Sequence, residues 1–144
     1  MMIAAVTARL EARISELQHR VEGAAKFAEL MKRGDPPVRS VSAFVLPLGI
    51  TGRPGDAASG AFTQIIRETV AVVLIVQSTD RTGERAIDKI DEFVNEVIAA
   101  IAGWAPDNQV GVFELARGQL INFGPGRLAY QIEFAITDQL RIDT

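Results

Sequence analysis

"AFTQIIRETVAVVLIVQ" fills residues 61 to 77, and whether it is strand or helix decides the fold. Its many β-branched residues lose rotamer freedom in a helix and fit a pleated surface, so the segment reads as strand. Alternation in "TQIIRET" (63 to 69) predicts one solvated face. The continuous run "VAVVLIV" (70 to 76) predicts a strand covered on both sides. That run is also the longest uninterrupted apolar stretch of the chain, far short of the ~20 residues a membrane helix needs.

Upstream lies "GITGRPGDAASG" (49 to 60), which invites a phosphate-binding reading. A phosphate loop needs Lys and then Ser or Thr after its last glycine, followed by a helix whose N-terminus faces the phosphates. Gly55 and Gly60 have the right separation, but Ala61 and Phe62 follow, and then a strand. The segment therefore reads as a flexible connection between strands, ordered by a neighbour rather than by a core of its own. "GPGRLA" (124 to 129) formally fits a dinucleotide fingerprint, yet the next residues alternate: Leu128, Tyr130, Ile132, Phe134 and Ile136 against Ala129, Gln131, Glu133, Ala135 and Thr137. Period two means strand, so Gly124-Pro125-Gly126 reads as a hairpin turn.

Helices flank these strands. Ile3, Val6, Leu10, Ile14, Leu17 and Val21 trace one apolar stripe over five turns, "GAAKFAELMKRG" (23 to 34) adds a shorter helical piece, and "GDPP" (34 to 37) ends it. "VSAFVLPLG" (41 to 49) is a strand whose Pro47 places it at an edge or near its end. A second main helix begins near Asp80 or Thr82 as N-cap, with Glu84 in its first turn. It carries the stripe Ile87, Ile90, Val94, Val97, Ile98 and Ile101 and ends before Gly103. "VGVFELARGQLINF" and "RLAYQIEFAITDQLR" close the chain as a hairpin. The expected fold is α+β in a single domain spanning 1–144: about four antiparallel or mixed strands with two main helices packed on one face.

The 144 residues are enough to bury about two thirds of the unfolded surface. A net charge of −3, from 15 basic and 18 acidic residues, excludes the basic stripe of a nucleic-acid binder. No cysteine is present, which removes disulfides, thiol nucleophiles and cysteine metal sites. Arg9, Glu11 and Arg13 interrupt the N-terminal segment before a signal-peptide core could form. His19, the sole histidine, lies off the first stripe and reads as a solvated helix residue rather than a general base. Asp88, Asp91, Glu92 and Glu96 read as a charged helix face near Arg85 and Lys89, since a di-metal site would also need histidines. Trp104 in "GWAPD" reads as a cap over the helix end.

Taken in order, these pieces resemble the tail terminator proteins of long-tailed bacteriophages, most distinctively in the helix ending "GWAP" followed by "GQL" and "GRLAYQIEF". The resemblance covers nearly the whole chain. It implies a structural virion protein, assembled in the host cytoplasm, that forms a hexameric ring on the head-proximal end of the tail tube and stops its polymerisation. Its partners would be further copies of itself, the tail tube protein and a neck or head-completion protein, with DNA passing through the lumen unbound. It implies no catalytic, cofactor-binding or metal-binding residues and no cofactor. Six copies at −3 each would carry −18, which does not grip phosphates. Candidate contact residues are Gly49, Arg53, Asp56 and Ser59 in the glycine-rich loop, with Arg117, Asn122 and Arg127 along the closing hairpin. Two alternatives are a neck or head–tail joining protein of the same apparatus and a small ligand-binding enzyme with its pocket beneath the loop.

Overall fold

The computed structural model describes residues 2–33, 41–77, 84–106, 111–124 and 126–143. The expected helix caps Asp80 and Thr82, and the "GDPP" stop, lie outside the described residues. The elements are α1 (Met2–Arg13), a 3-10 turn (Ser15–Leu17), β1 (Val21–Glu22), α2 (Ala24–Arg33), β2 (Val41–Gly52), a second 3-10 turn (Ala58–Gly60), β3 (Ala61–Gln77), α3 (Glu84–Ile101), β4 (Glu114–Gly124) and β5 (Arg127–Asp143). The strands form one sheet in the order β1-β2-β3-β5-β4, with β1 parallel to β2 and every other pair antiparallel. The α+β class is as expected, and the fifth strand is the two-residue β1.

β3 and β5 pair from Ala61 opposite Asp143 to Gln77 opposite Arg127 without a bulge. Because successive side chains point to opposite faces, this register sorts the apolar run into two sets. Val70, Val72, Leu74 and Val76 share a face with Ile132, Phe134 and Ile136, and there they meet Val6 and Leu10 of α1 and Ile90, Phe93, Val97 and Ile101 of α3. On the other face Val73, Ile75, Ala129 and Phe44 meet Phe27 and Leu30 of α2. The Phe27 and Phe44 rings stand 5.3 Å apart and tilted, a favoured aromatic geometry. Two main helices on one face is therefore correct for α1 and α3. α2 is an addition on the opposite face, as a strand apolar on both sides requires.

The N-terminal stripe is right about burial and wrong about backbone. Val6, Leu10, Ile14, Leu17 and Val21 are all buried, but the helix stops at Arg13. Leu17 sits in the 3-10 turn and Val21 in β1, because spacings of three and four residues also arise when a tighter turn and a reversal return the chain to the same core. His19 makes that reversal: its φ is +60, its backbone N–H donates to the Glu11 carboxylate at 2.6 Å, and its side chain is 87% exposed. It is a turn residue and not a helical one. In α3 the stripe is off by one edge, since Ile87 is 50% exposed while Ala86, Phe93 and Ala100 are buried.

β2 runs three residues past the expected end at Gly49, with a bulge between Pro47 and Gly49. β1 covers its outer edge only at Ala43 and Phe44, so Pro47 lies in an open edge stretch, where a missing N–H costs no ladder bond. Between β4 and β5, Gly124 pairs with Arg127 across the expected hairpin turn, and Gly126 takes φ +73, a conformation that side chains with a Cβ disfavour.

Ile90→Ala should destabilise the subunit by about 2 to 5 kcal/mol through lost transfer energy and a residual cavity. Ile87→Ala, at a half-exposed position, should cost about 1 kcal/mol or less. Denaturant midpoints of the two variants compared with the parent check this assignment of the helix face.

Candidate functional site

The sheet outruns its helices. β3 is buried from Val70 to Val76, but its first nine residues are exposed or half-buried; β5 follows suit beyond Ile136, and β2 beyond Val45. The result is a three-stranded arm of β2, β3 and β5 that reaches roughly 30 Å past the covered region, taking about 3.3 Å per residue. One face of the arm carries Ile50, Phe62, Ile66 and Leu140, and the other Thr51, Thr63, Arg67 and Arg141, as the register dictates.

The connection at the tip is held by the chain itself. The Arg53 N–H donates to Ile65 O, Asp56 and Thr63 exchange two backbone bonds at 2.8 Å, and the Asp56 carboxylate accepts from the Ala58 N–H at 2.9 Å. The Gln64 side-chain amide donates to Arg53 O at 2.7 Å. A Cβ on Gly55 would lie 2.5 Å from the Phe62 ring, so glycine is what lets that ring fold over the loop. The expectation that only a neighbour could order this loop is thus corrected: the asparagine-like turn of Asp56 and the two-residue bridge do so within one subunit. The loop leads into strand β3 and not into a helix, as the sequence reading required.

The candidate contact residues fall into separate places. Gly49 belongs to β2, opposite Thr69, and lines a groove of about 470 Å³ with Met2, Ile3, Ile50 and Glu68. Arg53 and Asp56 are exposed at the arm tip, and Ser59 lies in the 3-10 turn. Asn122 pairs with Leu128 and Arg127 with Gln77, at the far end of β3. Between Ile66, opposite Gly52, and Gln77 lies a strand length of roughly 35 Å, so the two groups form two regions and not one site. Arg117 lies midway on β4. Its charge is engaged within the sheet, with Nε 3.6 Å from Glu133 Oε2 and Nη2 donating to the Gln119 side chain, while Gln131 donates to the same Glu133 carboxylate at 3.2 Å.

One important residue was invisible in the sequence. The Arg9 guanidinium lies 5.0 Å from the centroid of Trp104 while its Nε donates to Ala100 O at 2.9 Å, in the last turn of α3. α3 has no basic residue of its own there, so a cation from α1 serves its negative end. Trp104 also stacks on Phe113 at 6.0 Å, and backbone bonds Gly103 to Phe113 and Phe113 to Trp104 lock the exit of the helix. Trp104 caps the helix end as expected, but no local signal near it points to Arg9.

Among the described residues, no three His, Asp or Glu side chains gather as metal ligands. In the carboxylate face of α3, burial, then Glu16 and Glu92, raise the pKa of Glu96 above its ordinary value. No helix of the described residues is long and apolar enough to cross a membrane.

The site is thus an α+β domain whose sheet extends beyond its own core, with the candidate residues spread along its edges and tips. A family model described as phage tail terminator protein matches residues 1–144, and the chain belongs to that family. It is accordingly a structural protein of the bacteriophage virion, located in the tail, where it assembles with other tail and head proteins. Among solved structures, its fold is similar to that of a chain in the virion of a native gene transfer agent particle, at 12% identity and a TM-score of 0.53, covering 96% of this chain and 95% of that one. No curated protein sequence matches it.

A carboxyl with a raised folded pKa binds its proton more tightly folded than unfolded. Its contribution is favourable below the unfolded pKa and is lost as pH rises through the folded one. Glu96→Gln should therefore raise the melting temperature at pH 7, and the gain should vanish at pH values below the ordinary glutamate range. A pH series of melting curves for the two proteins checks the sign.

Proposed function

We propose that the protein caps the head-proximal end of a phage tail tube as a hexameric ring, stops tube polymerisation and presents the surface on which a neck or head-completion protein docks. The observation that carries this reading, beside the family, is the arm. Ordering three strands costs backbone entropy of about 1 to 2 kcal/mol per residue, and an extension that buries little core repays that only where another molecule covers it. A ring needs a heterologous contact that closes by rotation, and a subunit with two unlike ends and two unlike sheet edges supplies unlike patches. Nothing cationic dominates the chain, and at −3 per copy the lumen would let DNA slide without specific binding.

Deleting the gene should leave tube initiation and elongation intact and remove the stop, giving tails of irregular, excessive length that are not joined to heads. Micrographs of lysates measure this directly. Normal-length tails on filled heads would refute the terminator role, and normal-length tails lying free would transfer the protein to head–tail joining.

A further inference from the structure

Seven of the nine large apolar side chains exposed among the described residues lie on two parts of the sheet. Val112, Leu115 and Leu120 border or belong to β4, and Leu48, Ile50, Ile65 and Ile142 belong to the arm. Natural sheets guard open edges with charge or proline, because a row of unpaired N–H and C=O groups templates further pairing. Among the described residues no strand pairs with the outer edge of β4, and from Gly118 to Gly124 it carries no charge. β2 carries no charged residue at all from Val41 to Gly52, and past Phe44 no described strand pairs with its outer edge. Its one guard, the Pro47 bulge, leaves Gly49 to Gly52 as regular strand paired with β3 on the inner side.

Strand direction decides what fits. β2, β3, β5 and β4 alternate strictly, and four is an even number, so a second copy in the same orientation presents its β2 antiparallel to the first copy's β4. Side chains decide the register. Gly118, Leu120 and Ile50 belong to the face of the sheet that α1 and α3 cover, as their partners Ile132, Tyr130 and Glu68 show. Setting Leu120 beside Ile50 also sets Gln119 beside Thr51 and Gly118 beside Gly52, apolar with apolar and polar with polar. Gly118 is in register with Val72 through Ile132, while Gly52 is opposite Ile66, so this match slides the copies by about six residues, roughly 20 Å. Across four strands, roughly 19 Å wide, that slide is a strand tilt of about 45°, within the range at which sheets close into barrels.

We propose that the β4 edge of one copy pairs in-sheet with the β2 arm edge, Leu48 to Gly52, of the next, Leu120 against Ile50, so that the sheet continues from subunit to subunit. The occupant of each open edge is a second copy of this chain. This rests on the ring of the proposed function and names its contact. The cross-copy pair is 56% exposed at Leu120 and 59% at Ile50 in the isolated subunit and is covered in the assembly.

The chain has no cysteine, so Leu120→Cys combined with Ile50→Cys introduces the only thiols. Directly opposed residues on antiparallel strands stand about 4.5 to 5.5 Å apart at Cα, within disulfide reach. Oxidising the assembled double variant should give a covalent ladder ending at the copy number of the ring, and Leu120→Cys with Met31→Cys, on α2, should give none. Leu120→Lys and, separately, Ile50→Lys should weaken association at least tenfold in sedimentation while leaving the melting of the dilute subunit unchanged. Intact rings in micrographs with no ladder, or undiminished association of both lysine variants, overturn the edge pairing and leave the ring standing. Absence of any ring from tails of the parent phage overturns the proposed function and this contact together.

Discussion

Seventeen consecutive residues of β3 pair with seventeen of β5, and the rest of the structure hangs on that ladder. Part of its length, Val70 to Val76 of β3, is apolar on both faces, and this stretch, with Ile132 and Phe134 of β5 on one face and Ala129 on the other, dictates where α1, α2 and α3 must lie. The rest of β3 alternates, attracts no helix and projects as the arm. One strand pair thus builds a core and a protrusion from a single register, and the change from continuous to alternating hydrophobicity near Thr69 marks the boundary between them.

The division was legible because period and continuity are local properties. "TQIIRET" and "VAVVLIV" announce the half-solvated and the doubly covered halves, and alternation from Leu128 onward identifies β5. What failed was geometry that depends on distant partners. The stripe from Ile3 to Val21 has a helical period, yet after Arg13 the same burial is achieved by a 3-10 turn, a left-handed His19 and a two-residue strand. Ile87 satisfies the period of α3 but lies just beyond the margin of the sheet it would have to cover.

The candidate contact residues show the same limit. Glycine-rich composition marked residues 49 to 60 as a connection between strands, but not that Gly49 to Gly52 would extend β2, nor that Asp56, Thr63 and Gln64 would bond the remainder into a defined tip. Arg117 read as a candidate contact residue, and its ion pair was not legible because Glu133 is brought opposite only by pairing in the sheet. Arg9 meets Ala100 across 91 positions of chain, and Trp104 lies further still, a distance over which composition and periodicity carry no information. The family resemblance, in contrast, was legible from the order of elements, which survives where individual contacts do not.

The placement of β5 has a bearing on how the chain reaches this state. β5 comes last in sequence but lies inside the sheet, between β3 and β4. Until it is made, β3 has a bare edge carrying "VAVVLIV", a run of the kind that aggregates when exposed, and β4 has no neighbour to join. The sheet therefore cannot close progressively from the N-terminus during synthesis, and the β3–β5 pairings are long-range, even the nearest joining Gln77 to Arg127. Slower folding is the expected cost of an interior strand that arrives last.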